Sequence, residues 1–359
     1  MMPIRKRLPG PQPGDRETIL SKRADARQSI LDFEAADVKE MGFYPRAFCQ
    51  IGFPMYAPTV FNEYNRDSGP HHLSIMAPSK IGIPWGIYPR GIMAWIVTNV
   101  VKRKEEGIAS RTVNLGDDLL DFMQKVTGTK TYSGGATGNI RPFKRQLASL
   151  LASRIYYWYG NELNPEAAMK WKSMEITSEG SLLWSPRMLN SPGLFQSTIT
   201  LGEAFWLDII ENAVPIDSRD LKALWPSCLS VDIYVWLTYK ANTLLKRGQT
   251  FTHIPWTSLQ QQFGPNSIMR SFKQNFQLNL NKVKQVYPSI EFEEREGSAG
   301  EGPREKGLTF RVKRPSILSA VPALPPGQLS TDGRKIVSEI VIKRKAGKLP
   351  ARIPTSFNA

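Results

Sequence analysis

The sequence predicts an α+β fold that is mostly helical, because helical patterns dominate and one order of elements occurs twice. In each half, a helix precedes a short strand, a second helix, a turn, a third helix and segments that suit a β-hairpin. This is the order of a winged helix-turn-helix domain. The halves share no evident repeat of residues. We therefore expect two tandem winged helix-turn-helix domains, related in architecture only, with flexible basic N- and C-terminal tails.

The first domain is expected over residues 81–200. Its elements are an apolar helix ending near Lys104, a strand at 111–115, a helix at 117–127 with Asp117 as its cap, a glycine-rich turn at 133–138, a basic helix at 139–153, and strands within 154–159 and 181–201. Each helix carries apolar residues three or four positions apart, the spacing of one buried face.

The second domain is expected over residues 201–315. Its elements are helices at 203–211, 217–224 and 229–245, a strand at 251–255, a helix at 257–263, a turn at 264–266, a helix at 266–287 capped by Asn266 or Ser267, and strands at 290–295 and 308–314. This order matches that of the first domain from the long helix onward.

The two ends of the chain have the composition of segments outside a packed core. Residues 1–80 are predicted to be an N-terminal arm, followed from residue 41 by an irregular extension rich in Gly, Pro and aromatic residues. Residues 316–359 are Pro-rich and then basic, which predicts a disordered basic tail with non-specific affinity for nucleic acid.

The net charge indicates which classes of partner the protein binds. The 359-residue chain carries a formal charge of +15, with a pI near 9.7, which favours a polyanion: nucleic acid first, an anionic membrane surface second. No apolar run approaches the roughly 20 residues of a membrane span, so we expect no membrane association. The two cysteines, Cys49 and Cys228, predict a reducing cytoplasm. Buried free thiols are the favoured interpretation, and a bridge between them is the alternative.

The helix at 266–287 has two contrasting faces. Its apolar stripe consists of Ile268, Phe272, Phe276, Leu280 and Val283. The opposite face, which no acidic residue interrupts, consists of Arg270, Gln274, Gln277, Asn281 and Lys284, with Lys273 beside them. Solvated helix faces usually mix both signs of charge. Cations and amides pair with phosphates and with base edges in the DNA major groove. We therefore expect this helix to read double-stranded DNA, with Lys273 and Lys284 on phosphates.

The helix at 139–153 is a weaker counterpart in the first domain. Arg141, Lys144 and Arg145 make its polar face basic. These side chains are expected to contact the DNA backbone, to pack against a partner copy, or both, and direct base reading is a further possibility. The glycine-rich turn before the helix lacks the Gly-Lys-Ser/Thr ending of a P-loop, which argues against nucleotide hydrolysis.

No constellation of residues predicts catalysis or a cofactor. His71 and His72 have no third ligand at metal-binding spacing, and no cysteine–histidine or serine–histidine pair is evident. Acidic pairs such as Asp117-Asp118 suit a helix cap. We therefore expect a protein that is not an enzyme, with no catalytic residues, no metal site and no cofactor.

Short strings in both halves resemble the plasmid-encoded RepA family of replication initiators. In chain order they are IPWG at 83–86, PR at 89–90, MAWI at 93–96, LGD at 115–117, FM at 122–123, GG at 134–135, IR at 140–141, STI at 197–199, LGE at 201–203, VPID at 214–217, LKAL at 221–224, DIY at 232–234, WLTY at 236–239, IPW at 254–256 and QFG at 262–264. Together, their order and their span from about 81 to 313 are specific.

The resemblance implies a function for the predicted domains. A protein of this kind binds direct repeats (iterons) at a plasmid origin, opens adjacent AT-rich DNA and recruits the host initiator and replicative helicase. The second domain would read the major groove, while the first would contact the backbone and form an inhibitory dimer in a monomer–dimer balance that serves plasmid copy control. The expected location is the bacterial cytoplasm.

Two other functions remain open on the sequence. A winged-helix transcriptional regulator would bind an operator without opening the DNA. A polymerase or nuclease accessory enzyme would need a cluster of carboxylates for two metal ions, and the basic regions carry none.

Overall fold

The computed structural model of the chain describes residues 41–60, 62–129, 132–135, 138–160, 170–182, 197–297 and 305–312. The predicted arm before residue 41 and the tail after residue 315 lie outside this part of the chain. No helix in the described ranges is both long and apolar enough to cross a membrane.

The described elements alternate between helices and strands along the chain. They are β1 (Met41–Tyr44), α1 (Arg46–Gln50), β2 (Glu63–Ser68), β3 (His71–Met76), α2 (Ile87–Glu105), β4 (Thr112–Gly116), α3 (Leu119–Thr127), α4 (Ile140–Leu151), β5 (Arg154–Tyr159), β6 (Lys170–Glu175), β7 (Thr177–Ser181), β8 (Ser197–Leu201), α5 (Glu203–Asn212), β9 (Val214–Asp217), α6 (Ser218–Ala223), α7 (Cys228–Lys246), β10 (Phe251–Pro255), α8 (Trp256–Phe263), α9 (Met269–Val286), β11 (Ile290–Glu296) and β12 (Lys306–Val312). The fold is mixed α/β with antiparallel sheets. The expectation of a mostly helical chain is not confirmed.

Two three-stranded sheets have the same internal order. In one sheet the order is β4-β8-β7, and in the other it is β10-β12-β11. In both sheets, the strand that follows the long helix (β4 or β10) pairs with the strand that comes last in the chain (β8 or β12). That last strand also pairs with the strand just before it in the chain (β7 or β11). The helices that precede these hairpins are α2, α3 and α4 in the first half and α7, α8 and α9 in the second. The order predicted for the second half agrees with these elements. In the first half, β5 and β6 stand between α4 and the β7–β8 hairpin. The strand predicted at 154–159 therefore does not join the strands after residue 180, because β5 pairs with β3 and β6 instead.

Residues 41–80, which we expected to be irregular, instead supply strands to two sheets. β1 pairs with β9 from Met41↔Asp217 to Tyr44↔Val214. β2 and β3 join β5 and β6 in a four-stranded sheet of order β2-β3-β5-β6. All four residues of β1 are buried, so the strand has no polar alternation to reveal it. Its partner lies more than 160 residues away, which no local pattern reports.

The core of the second half forms around α7, which is buried on nearly every side. Its Trp236 makes edge-to-face contacts with Phe263 of α8, at 5.2 Å between ring centroids, and with Phe310 of β12, at 5.6 Å. Such contacts add to the stabilisation from the buried apolar area. The apolar side of α9 packs against the same core, which fixes the direction of its other side.

A buried ion pair joins α2 of the first half to α7 of the second. The Arg90 guanidinium, which is 0% exposed, donates from Nε to Asp232 Oδ1 at 2.7 Å and from Nη2 to Oδ2 at 2.6 Å. Its remaining donors reach the backbone oxygens of Phe53, Pro54 and Gly86. All five guanidinium donors are therefore used. Both charged residues lie within the strings that carried the family resemblance, and their contacts make them structural.

Two predicted helix caps are wrong by one or two positions. The side chain of Asp118, rather than Asp117, accepts hydrogen bonds from Leu120 N at 2.6 Å and Asp121 N at 3.2 Å. The N-cap position of α9 is Ile268, which has no side-chain cap. Ile268 is also 78% exposed, so it does not belong to the apolar stripe. The helix begins one turn later than the pattern suggested, which places Ile268 before the first buried turn.

Candidate nucleic-acid interface

The third helix of the second half, α9, has one buried face. Phe272, Phe276, Leu280 and Val283 are buried as predicted. Trp256 of α8 makes edge-to-face contacts with Phe272 at 6.3 Å and with Phe276 at 6.0 Å between centroids. These contacts fix the rotation of α9 about its own axis. Its other faces are therefore held toward solvent and toward the β11–β12 hairpin.

The six residues predicted to contact DNA from α9 occupy two environments. Arg270, Gln274, Asn281 and Lys284 are exposed, while Lys273 and Gln277 are half-buried. No acidic residue occurs within α9. The assignment of these six side chains to DNA contacts stays a prediction.

Glu294 of β11 holds the half-buried side of this polar face. Its carboxylate accepts hydrogen bonds from Trp256 Nε1 at 2.8 Å and from Gln277 Nε2 at 3.1 Å. The Lys273 ammonium lies 3.6 Å from the same carboxylate and 5.1 Å from the centre of the Trp256 ring. One acidic side chain therefore ties the hairpin, α8 and α9 together. No local pattern in the sequence reveals these contacts, because Glu294 lies 17 residues from Gln277 along the chain.

Lys284 also faces the hairpin. Its ammonium lies 5.3 Å from the centre of the Phe292 ring on β11, a cation–π contact. Lys284 as a whole is exposed, so this contact does not bury the residue.

The fully open side of α9 also includes residues outside the six predicted to contact DNA. Ser271, Asn275, Leu278, Lys282 and Gln285 are all exposed. At about 100° per residue, they continue the surface that begins with Arg270, Gln274 and Asn281. The centre of the open surface therefore lies farther from the β11–β12 hairpin than the centre of the six predicted residues does. Because the helix contains no acidic residue, the sequence could also have suggested Lys282 and Gln285 as contact residues. Only the packing shows which side of the helix is open.

The basic helix of the first half, α4, presents fewer free polar groups. Arg141 and Arg145 are exposed and Lys144 is half-buried. Gln146 is buried, and its side-chain oxygen accepts a hydrogen bond from Trp85 N at 2.7 Å. Ser149 is buried and donates to the backbone oxygen of Ile81 at 3.3 Å. The polar side of α4 is therefore partly used to hold the chain segment before α2.

The described part of the glycine-rich turn is closed by its own contacts. Asn139 Oδ1 accepts a hydrogen bond from Ser133 N at 2.9 Å. A Cβ atom added to Gly138 would lie 2.0 Å from the backbone oxygen of Ser133, so only glycine fits at this position. These contacts support a turn into α4. Residues 136 and 137 of the turn lie outside the described residues.

His71 and His72 form contacts with neighbouring side chains, and both cysteines are free thiols. His72 Nδ1 lies 2.7 Å from Asp67 Oδ1, and His71 Nδ1 lies 2.5 Å from the Tyr157 hydroxyl. Burial, with Lys240 and Arg46 nearby, lowers the pKa of His71 to about 4. Within the described ranges, no three His, Cys, Asp or Glu side chains are grouped to hold a metal ion. Cys49 and Cys228 are free thiols, so the alternative of a bridge is excluded.

The fold and the candidate interface define a class: a mixed α/β protein with two similarly ordered halves and a basic helix in the third position of each. Residues 83–257 match the sequence model of the family described as plasmid-encoded RepA protein. This match confirms the predicted resemblance over that segment. It includes Arg141, Lys144 and Arg145, whereas all of α9 lies beyond it. No curated protein matches the chain.

Two solved structures are similar to this chain at low identity. The crystal structure of RctB domains 2-3 has a TM-score of 0.44 and 11% sequence identity, over 74% of this chain and 96% of that chain. A crystal structure of selenomethionine derivatives of domain 2 and domain 3 of RctB has a TM-score of 0.45 and 10% identity, over the same shares of 74% and 96%.

Proposed function

We propose that this chain is a non-enzymatic initiator of plasmid replication that binds direct DNA repeats at the plasmid origin. The family match over residues 83–257 supports a role in plasmid replication. The observation that carries DNA binding is the open surface of α9, which offers cations and amides with no acidic residue in the helix. Such a surface complements both the phosphates and the base edges of duplex DNA.

We further propose that each half is a winged helix-turn-helix domain. In the second half, α7, β10, α8, α9 and the β11–β12 hairpin follow the winged-helix order, and the strand order β10-β12-β11 supports this assignment. The first half has the same order, with β5 and β6 inserted between its third helix and its hairpin. In a helix-turn-helix protein, the helix after the turn enters the major groove. That position is occupied by α9.

The arrangement around Glu294 divides the predicted contacts of α9 into two groups. Among the described residues, none pairs with the side chains of Arg270, Gln274 or Asn281. These side chains can therefore form hydrogen bonds with base edges without first breaking a contact within the protein. Lys273 and Gln277 must break their contacts with Glu294 before they can bind DNA. Arg suits guanine, while Gln and Asn suit adenine. Lys284 is assigned to a phosphate.

The first half is proposed to hold the DNA backbone and to support self-association. Arg141 and Arg145 are the exposed cations of α4, and the half-buried Lys144 lies between them in the sequence. Because Gln146 and Ser149 are buried, α4 offers few amide or hydroxyl groups for base reading. We propose that DNA opening beside the repeats and recruitment of the host helicase follow from the binding of several copies at the origin.

Footprinting on the DNA that flanks this gene tests the proposal. We expect protection of regularly spaced direct repeats and, with permanganate, reactive thymines in an adjacent AT-rich segment. Protection of a single inverted repeat with no reactive thymines would instead identify an operator-binding regulator. Absence of any preferred site would contradict sequence-specific binding altogether.

Variants of α9 test the assignment of the reading residues. Gln274→Ala should reduce discrimination between the origin repeat and random duplex by about 1–3 kcal/mol, the value of one bidentate contact. Lys284→Ala should weaken binding to both duplexes alike and reduce the salt dependence by about one unit. Gln249→Ala, an exposed glutamine before β10, is the matched control. Equal discrimination by the Gln274 and Gln249 variants would refute base reading by Gln274.

A further inference from the structure

The open surface of α9 contains one large apolar side chain. Leu278 is 65% exposed and lies between Gln274, one turn before it, and Asn281 and Lys282, one turn after it. The core of this half uses the opposite face of the helix, which includes Phe276 and Leu280. Leu278 therefore plays no part in the packing of α9 against its own domain.

An isolated exposed leucine on most protein surfaces carries no meaning. The position of Leu278 is different because it lies in the centre of a strip of groups that pair with nucleic acid. Arg270, Gln274, Leu278 and Lys282 follow each other at four-residue intervals, and Asn281 and Gln285 line the adjacent row. A protein or lipid partner for Leu278 would have to cover these polar groups as well. The cations and amides instead match duplex DNA, which also offers an apolar group in its major groove.

We propose that Leu278 contacts the 5-methyl group of a thymine in the major groove and is a specificity-determining residue of this protein. The thymine methyl is the only apolar group on the base edges of that groove. Gln274 and Asn281 suit the adenine edge, so the same A·T-containing steps would present an adenine edge to the amides and a methyl group to Leu278. This inference rests on the proposed DNA-binding function and adds a chemical class of target: a repeat with A·T pairs beneath the middle of α9.

The contacts of Glu294 support this placement. They hold Gln277 and Lys273 on the side of α9 that faces the hairpin, which leaves the strip through Leu278 as the open side. The helix extends for 18 residues, and Leu278 lies near its centre. A helix that lies along the groove brings its central open residue as close to the bases as the residues that flank it.

The test begins with the duplex that the full-length protein selects from a pool of random sequences. Each thymine of the selected duplex is then replaced in turn by deoxyuridine, which removes only the 5-methyl group. We expect one or two replacements to weaken binding by roughly fourfold, the size expected for burial of one methyl group. Leu278→Ala should bind the thymine and deoxyuridine duplexes equally. Leu207→Ala, an exposed leucine of α5, is the matched control and should keep the fourfold difference.

The possible results separate this inference from the proposed function. If Leu278→Ala keeps the sensitivity to deoxyuridine, or if no replacement weakens the wild-type protein, methyl reading by Leu278 is wrong although sequence-specific binding stands. If the pool yields no enriched sequence, the proposed function is overturned and the inference falls with it. Because Leu278 is exposed and outside the core, loss of the fold does not confuse the comparison, and a thermal melt of both variants verifies this.

Discussion

Replacing Arg90 by methionine should destabilise the protein more than any surface substitution. The change removes all five donors of a fully buried guanidinium and leaves the Asp232 carboxylate, whose side chain is 6% exposed, without its charged partner. Breaking a buried pair from one side costs about 3–5 kcal/mol, because an uncompensated charge remains in the interior. The backbone oxygens of Phe53 and Gly86 lose their donors as well. We therefore expect a loss of free energy of unfolding at the upper end of this range.

Urea denaturation of the full chain measures this loss, with the midpoint and slope fitted for each variant. The double variant Arg90→Met with Asp232→Leu should recover most of the stability, since apolar replacement of both partners is often neutral or stabilising. Arg154→Met is the control, because the ion pair of Arg154 with Glu175 is about half exposed and solvent screens it, so its loss should change stability little. If Arg90→Met costs no more than the control, or if the double variant is as unstable as the sum of the singles, the pair does not stabilise the contact between α2 and α7.

Four further outcomes are expected. Glu294→Gln should release Lys273 and bind random duplex more tightly, with a salt dependence steeper by about one unit in anisotropy titrations; an unchanged slope would show that Glu294 does not restrain the lysine. His71 has a pKa lowered to about 4, mainly by burial, so the unfolded chain takes up a proton first as the pH falls below 6.5. Stability present above pH 6.5 should therefore decline toward pH 4, and His71→Gln should remove that part of the decline; identical pH profiles would refute this. Gly52→Ala should destabilise by about 1–3 kcal/mol in denaturation, because its Cβ would lie 2.7 Å from Asp232 Oδ2; a neutral effect would mean that the carboxylate is free to move. Lys282→Ala should weaken binding to every duplex alike and lower the salt slope, whereas Lys125→Ala, on the exposed side of α3, should not.

Local patterns predicted the helices and several strands of both halves. The bounds of β5 and β10 agree with the predicted strands at 154–159 and 251–255. Helix periodicity, capping residues and short alternating segments are properties of neighbouring residues, so they can be recognised without the fold. The buried face of α9 from Phe272 to Val283 was predicted for the same reason.

The strands that local patterns missed obtain their stability from distant partners. β1 is buried throughout and pairs with β9, and β3 pairs with β5, so neither has to show alternation within its own segment. Short strands with no amphipathic period resemble irregular chain in the sequence. The extension before residue 80 was therefore assigned incorrectly for a physical reason, which is the non-local origin of sheet pairing.

The sequence by itself determined that α9 is amphipathic, free of acidic residues and preceded by a short helix and a turn, because these properties depend on residues within one or two helical turns. Only the tertiary structure decided which of its polar groups are open. Packing on Trp256 set the rotation of the helix, and Glu294 from the following hairpin engaged Lys273 and Gln277. The same packing left Leu278 in the centre of the open surface. Contacts between elements far apart in the chain fix these features, and no local pattern encodes them.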